Sequence, residues 1–161
     1  MHPRAEELIR ELRLAPHPEG GHFAETFRSP RTVRVAGGAR ERTAVTTILY
    51  LLAAGERSRW HRLDADELWH FCEGDPLELL LLDEAARILT RIRLGPVSPG
   101  CAPVQVVPAG SWFAARPLGA FTLAGCTMGP GFEAEGFVLM EAEPGVAAGV
   151  AERFPELAGL I

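Results

Sequence analysis

The stretch from Gly55 to Gly74 constrains the fold of this chain more than any other segment. It separates two strongly apolar runs, residues 48–52 and 77–82. On either side of an acidic turn at 64–66 it alternates between polar and apolar residues, which predicts two short strands joined by that turn. The segment therefore indicates a sheet protein.

The alternation also predicts which side chains of this segment point the same way. Successive side chains of a strand face opposite sides, so His61 and Leu63 share one face of the first strand. Glu67, Trp69 and Phe71 share one face of the second strand. An imidazole and a carboxylate brought together on an inward wall could bind a metal ion or move a proton.

The spacing of this stretch resembles the first signature of the cupin superfamily. That signature is Gly, five residues, His, one residue, His, three or four residues, Glu, six residues and Gly. The chain keeps Gly55, His61, Glu67 and Gly74 at those spacings. It departs at the second His, which is Leu63.

The second cupin signature, Pro-x-Gly-x-x-His, is matched by residues 108–113 up to its final position, which is Phe113. The superfamily usually binds a metal through three His and one Glu, and of these only His61 and Glu67 remain. Two protein ligands are too few for a typical closed site. We therefore expect no tightly bound cofactor, and a weak divalent metal held by His61 and Glu67 with water stays open.

Further segments resemble the bacterial cupin_5 family, long described only as a domain of unknown function. They are His17-Pro18-Glu19-Gly20-Gly21, Glu67-Leu68-Trp69-His70-Phe71, Pro108-Ala109-Gly110-Ser111-Trp112 and Gly129-Pro130-Gly131-Phe132. The likeness covers roughly residues 5–160. It implies an all-β fold, a cupin jelly-roll barrel with short flanking helices at both termini, and one domain over residues 1–161.

Local patterns predict the other elements. Residues 3–14 predict a helix, 22–28 an alternating strand, 31–42 a polar loop, 77–82 and 86–94 a hairpin, and 146–160 a closing helix interrupted by Pro155. The paired glycines at 20 and 21 indicate a turn that requires unusual backbone angles.

Composition narrows the function classes. The net charge is −5 and no basic block is present, so we expect no nucleic-acid partner. No apolar run approaches membrane-spanning length, which predicts no membrane partner. Three cysteines without a Cys-x-x-Cys pair, after a start that does not resemble a secretory signal, predict reduced thiols and a cytoplasmic location.

Two groups of candidate site residues follow. His61 and Glu67 are candidate catalytic residues, because an inward carboxylate would have a raised pKa suited to acid or base work. Candidate ligand-binding residues are an arginine that could pair with an anion and aromatic side chains that could form a pocket wall: Arg28, Trp69, Phe71 and Phe113. Plain core packing explains the aromatic residues equally well.

Three functions remain open at this stage. The first is a metal-independent isomerase or epimerase acting on a sugar-like or other small polar substrate, by resemblance to the sugar-nucleotide epimerase branch of cupins. The second is a module that binds or senses a small ligand without turnover, and the third is a metal-dependent cupin with a reduced ligand set. We also expect a homodimer in which strand 22–28 adds to a neighbouring sheet, with His70 at the contact.

Overall fold

A computed structural model describes residues 1–35, 41–83 and 85–161. Within these ranges thirteen strands, numbered along the chain, form a six-stranded sheet, a five-stranded sheet and a separate two-stranded hairpin. The two large sheets face each other, and side chains from both fill the interior between them. The all-β jelly roll predicted from the sequence is confirmed.

The six-stranded sheet contains the strand that carries Glu67. In spatial order its strands are β1 (Ala15–Pro16), β2 (His22–Arg28), β5 (Thr46–Ala53), β12 (Phe121–Gly129), β7 (Asp66–Gly74) and β10 (Val104–Val107). In β7 the side chains of Glu67 and Trp69 are buried while Leu68 is exposed, as the predicted alternation requires.

The five-stranded sheet contains the strand that carries His61. In spatial order its strands are β13 (Phe137–Leu139), β6 (Ser58–Leu63), β11 (Trp112–Pro117), β8 (Leu77–Leu82) and β9 (Leu89–Leu94). β6 is buried on both of its faces, since Trp60 packs under the C-terminal helix and His61 faces the other sheet.

The register of β6 against β11 contains a bulge that matters for the site. Phe113 pairs with His61, but Ala115 pairs with Ser58, so β6 has one residue more than its partner over this interval. An extra residue reverses the alternation of faces. Ser58 and His61, three positions apart, consequently both point to the interior.

Short helices cover the outer faces of the two sheets. Helix α1 (Pro3–Glu11) packs on the six-stranded sheet and is shorter than the predicted 3–14. Helix α2 (Pro144–Arg153) and a 3₁₀ segment (Pro155–Leu160) pack on the five-stranded sheet. The predicted closing helix breaks at Pro155, because proline lacks the amide hydrogen that the helix needs.

The prediction of a loop at 31–42 is wrong in part. Strands β3 (Thr32–Arg34) and β4 (Glu41–Thr43) pair within it as an antiparallel hairpin. The polar composition obscured this hairpin, because its short strands stand apart from the two main sheets. Residues 36–40, which include Gly37 and Gly38 of the predicted loop, and Glu84 lie outside the described residues.

Among the residues that the structure describes, no helix is long and apolar enough to cross a membrane.

Candidate functional site

A cavity lies between the two sheets and is bordered by both predicted catalytic residues. It measures about 70 Å³, enough for several water molecules or a ligand of a few heavy atoms. Its polar lining consists mainly of His17, Glu19, Glu25, His61 and Glu67. Phenylalanine and aliphatic side chains form the remaining wall. The structure thus places His61 and Glu67 at one cavity.

The closest charged partner of His61 is Glu19, a residue of the turn before β2. His61 Nε2 lies 3.0 Å from Glu19 Oε2, and both residues are buried, at 2 % and 5 % exposed. Glu19 also accepts a hydrogen bond from Ser58 Oγ at 3.0 Å. The buried carboxylate is therefore held by an imidazole and a hydroxyl that the bulge in β6 brings to the same side.

The same bulge fixes the orientation of the imidazole. His61 Nδ1 lies 2.7 Å from the carbonyl oxygen of Arg59, which can only accept, so Nδ1 carries a proton. Nε2 is then directed at Glu19. Both ring nitrogens of His61 are engaged by the protein, which leaves neither free to contact a ligand.

Electrostatics favours a charged His61–Glu19 pair. Burial lowers the pKa of His61, but the charge and hydrogen bond of Glu19 more than offset this, and the net pKa is raised. Burial raises the pKa of Glu19, but His61 more than offsets it, and the net pKa is lowered. The two opposite shifts both favour an imidazolium beside a carboxylate.

Glu67 differs from Glu19 in that no cationic side chain among the described residues contacts it. Its Oε2 accepts a hydrogen bond from Trp69 Nε1 at 2.7 Å, and its Oε1 accepts none from any described residue. Burial, followed by repulsion from the Glu19 carboxylate, raises the pKa of Glu67 to about 7, against smaller opposing effects of His61 and Trp69. Glu67 can therefore gain or lose a proton at neutral pH, which suits an acid or base.

His17 stands at the edge of this group. Its Nδ1 accepts a hydrogen bond from the Glu19 backbone N–H at 3.3 Å and lies 3.7 Å from Glu19 Oε1. Burial lowers the pKa of His17, with Glu19 opposing. The ring packs edge-on against Phe23. His17 is accordingly neutral near pH 7 and adds no charge to the cavity.

The predicted ligand-binding residues do not border the cavity. Trp69 is buried in the interior core, where it positions Glu67, and Phe71 packs against the same core. The ring of Phe113 lies 3.9 Å from that of His61, centre to centre, and is fully buried behind it. These aromatic side chains support the site residues from outside the cavity.

Arg28 is also absent from the cavity lining. Its Nη2 lies 2.7 Å from Glu25 Oε2, and its Nη1 donates to the carbonyl oxygen of Phe132 at 3.2 Å. The guanidinium is thus already paired at the end of β2. Anion binding by Arg28 would compete with this pair.

The side chains present do not fit the metal site usual in the superfamily. Leu63 and Phe113 occupy two ligand positions, and both nitrogens of His61 are hydrogen-bonded. Within residues 1–35, 41–83 and 85–161, no three His, Cys, Asp or Glu side chains are arranged to hold a metal ion. No reaction step is therefore assigned to a metal.

Glu19 is the site residue that the sequence interpretation missed. It lies between His17 and the glycines at 20 and 21, a segment whose sequence predicts a turn and carries no signal for a buried carboxylate. The glycine interpretation itself agrees with the structure, because both glycines have positive φ and a Cβ at Gly20 would overlap the Arg57 carbonyl. The tight turn presses Glu19 against β6, where Arg59 N–H donates to the Glu19 carbonyl at 2.9 Å.

A family model described as Cupin superfamily (DUF985) matches residues 6–140. This chain belongs to that family of cupins. No curated protein matches the sequence of this cupin.

Two solved structures resemble this cupin over nearly its whole length. A hypothetical protein from Leishmania major is 30 % identical, with a TM-score of 0.83, and the match covers 98 % of this chain and 96 % of that one. A protein from Shewanella oneidensis is 32 % identical, with a TM-score of 0.80, and the match covers 91 % and 92 %. Both share the fold of this cupin at family-level identity.

A more distant neighbour is the oxalate decarboxylase of Bacillus subtilis. It is 15 % identical, with a TM-score of 0.58, and the match covers 91 % of this cupin but 36 % of the decarboxylase. At this identity the likeness concerns the fold alone.

Proposed function

We propose that this cupin is a metal-independent enzyme that moves a proton on a small molecule bound in the cavity, with Glu67 as the acid–base group. The observation that carries the proposal is a buried carboxylate, 6 % exposed, with one oxygen left free at the cavity. Burial and Glu19 give Glu67 a pKa of about 7. A group with that pKa is available in both protonation states at neutral pH.

The simplest reaction of such a group is an isomerisation. Ionised Glu67 takes a proton from a carbon next to a carbonyl group, which leaves an enolate and a neutral carboxylic acid. Glu67 then returns the proton to another position or face of the same molecule. Atoms and charge balance without any co-reactant, so the product is an isomer or epimer of the substrate.

The His61–Glu19 pair positions charge around Glu67. Glu19 repels the Glu67 carboxylate and raises its pKa, while the His61 imidazolium opposes this effect. The imidazolium also lies in the cavity wall, where a fixed positive charge lowers the energy of a developing enolate. We assign His61 and Glu19 positioning roles, because the ring nitrogens of His61 are both occupied.

Deuterium exchange tests this proposal. Protein purified without added metal is incubated in D₂O with small aldoses, ketoses and α-amino ketones, and mass spectrometry follows deuterium entering the carbon skeleton. The expected result is exchange into one compound class, unchanged by EDTA and slowed at least about 100-fold in Glu67→Gln. Glu152→Gln, on the exposed side of α2, is the matched control and should exchange like wild type.

Exchange that persists in Glu67→Gln would contradict the role of Glu67. Exchange that EDTA abolishes, together with stoichiometric metal by elemental analysis, would contradict metal independence.

A second candidate is a cupin that binds a small ligand without turnover. It is favoured by the predominantly apolar lining of the cavity and by the full hydrogen bonding of His61. Native mass spectrometry that finds a retained ligand, with no deuterium exchange into that ligand, would support this candidate over the enzyme.

A further inference from the structure

The charged groups around the cavity leave an excess of negative charge. Three carboxylates border it, those of Glu19, Glu25 and Glu67. His61 pairs with Glu19, and Arg28 pairs with Glu25 through two contacts of 3.0 and 2.7 Å. Glu67 alone has no contacting cation among the described residues. When Glu67 is ionised, a ligand in the cavity therefore meets one uncompensated carboxylate.

Among the described residues that border the cavity, the His61 imidazolium is already paired with Glu19 and leaves no unpaired cation for an anionic ligand. The sequence has no lysine, and its sixteen permanently charged basic residues are all arginines. None of the arginines in the described residues borders the cavity, and Arg28, the nearest on β2, is already paired. A carboxylate or phosphate ligand would thus enter a cavity of like charge without a partner.

Aromatic rings border the same cavity. Phe23 lies on β2, Phe132 in the loop after β12, and Phe137 on β13. The rings of Phe132 and Phe137 contact each other at 6.2 Å between centres. Aromatic rings combined with carboxylate are the surroundings that bind organic ammonium groups, through cation–π and charge attraction.

We propose that the ligand of this cavity is a small organic cation, an amine or quaternary ammonium group that sits among Phe23, Phe132 and Phe137 and faces the free oxygen of Glu67. This inference rests on the proposed function, because it names the charge class of the molecule on which Glu67 acts. It also adds a chemical consequence: a positive group on the substrate offsets the negative charge of the enolate. The class is opposite in charge to oxalate and to nucleotide sugars.

The proposal predicts how ligand binding depends on pH. A bound cation stabilises ionised Glu67, so binding strengthens as pH rises through the Glu67 pKa of about 7 and releases a proton below it. The titratable and charged groups that face Glu67 or border its cavity are Glu19 and His17 of the turn, Glu25 of β2, His61 of β6 and Cys126 of β12. Among them Cys126 stays neutral, because burial raises its pKa well above the usual range.

Three probes that share a methyl-substituted tetrahedral centre but differ in charge test the proposal. They are tetramethylammonium, tert-butanol and pivalate, whose central carbon or nitrogen carries methyl groups in the same tetrahedral arrangement. Tetramethylammonium does not titrate, so any pH dependence of its binding comes from the protein. Binding is measured by calorimetry or by NMR shifts on the intact protein between pH 6 and pH 8.

We expect tetramethylammonium to bind at least about tenfold more tightly than tert-butanol, and pivalate to bind least. The affinity for tetramethylammonium should rise between pH 6 and pH 8. Glu67→Gln should remove most of the charge preference and of the pH dependence, while Glu152→Gln keeps both. The comparison of the three probes on wild-type protein stands even if Glu67→Gln folds poorly.

Pivalate or tert-butanol binding as tightly as tetramethylammonium would overturn the proposal, and so would a failure of all three probes to bind. Deuterium exchange into a neutral or anionic compound would keep the acid–base role of Glu67 and overturn only the cationic ligand. Preferred tetramethylammonium binding without any exchange would keep the ligand class and contradict the enzyme.

Discussion

Three buried ionisable groups, Glu19, His61 and Glu67, share one cavity, and their energies are linked. A buried charge is costly unless it is paired and hydrogen-bonded. Glu19 meets this condition through His61 and Ser58, while Glu67 meets it by holding a proton near neutral pH. The structure thus keeps one carboxylate ionised and the other adjustable within the same interior.

Replacing Glu19 by Gln should destabilise the fold by about 3 kcal/mol at pH 6, because it leaves His61 buried without a counter-charge. The raised pKa of His61 means that its pairing stabilises the fold fully below the unfolded pKa, and that this stability is lost as pH rises through the folded pKa. The difference between wild type and Glu19→Gln should therefore shrink from pH 6 to pH 9. Urea unfolding at several pH values measures it.

Glu56→Gln is the matched control for this experiment. Glu56 lies 3.6 Å from His22 Nδ1 in a more exposed contact, and contacts of that kind contribute less than about 1 kcal/mol. A difference between wild type and Glu19→Gln that stays constant with pH would show that hydrogen bonding, rather than the charge on His61, stabilises the pair.

At the scale of single residues, the sequence identified the inward positions of His61 and Glu67 from their spacing. It could not identify Glu19, because the contact depends on how a distant turn docks on β6. The bulge that turns Ser58 and the Arg59 carbonyl inward leaves no local sequence signal either. Long-range register and irregular strand geometry therefore decided the hydrogen bonds of the site.

At the scale of elements, an arginine of β4 fastens the loop that carries Phe132. Arg42 is largely buried, and its Nη1 donates to Asp64 Oδ2 while its Nη2 donates to the Gly131 carbonyl, each at 2.9 Å. It thereby joins the β3–β4 hairpin, the turn after β6 and the loop after β12. The β3–β4 hairpin, where the sequence predicts a loop, therefore holds one wall of the cavity in place.

Arg42→Met should loosen this wall, because it removes both hydrogen bonds while keeping most of the side-chain volume. We expect faster amide hydrogen exchange at residues 131 and 132, whose N–H groups bond to the Thr43 carbonyl and to Thr46 Oγ1. Hydrogen–deuterium exchange mass spectrometry measures this protection. Arg31→Met, an exposed arginine beside the same hairpin, should leave it unchanged, and equal protection in Arg42→Met and wild type would contradict the fastening role.

At the scale of the whole molecule, the sequence predicted the architecture well because the strand pattern and the cupin spacings point to the same fold. It predicted the edge of the sheet less well. β2 pairs with β5 of its own chain, so donation of the whole strand to a neighbour is not the arrangement seen. β1 covers only His22 and Phe23, and no other strand of the described part of the chain pairs with residues 24–28 of β2 on that side.

The homodimer remains a prediction, and this open stretch of β2 is where we expect the contact. Unpaired strand edges favour association, and Phe27 on this stretch is 51 % exposed. Light scattering at micromolar concentration should give twice the chain mass of 17.4 kDa for wild type and for Val97→Asp, a loop control. Phe27→Asp should give the monomer mass, and a monomeric wild type would rule out the dimer.

The order of strands in the six-stranded sheet has a consequence for how the molecule assembles in time. β12, made of residues 121–129, lies between β5 and β7 and pairs with both of them. These two strands therefore join one sheet only after β12, which follows them in the sequence, has paired. Such distant pairings pay chain entropy before they gain contacts, which makes folding slow. We expect Glu67 to stay in water with ordinary acidity until β12 pairs with β7, and to hold its proton to about pH 7 in the folded protein. Near pH 6 we therefore expect the protein to take up protons late in refolding. This uptake would raise the pH of an unbuffered solution as the interior forms.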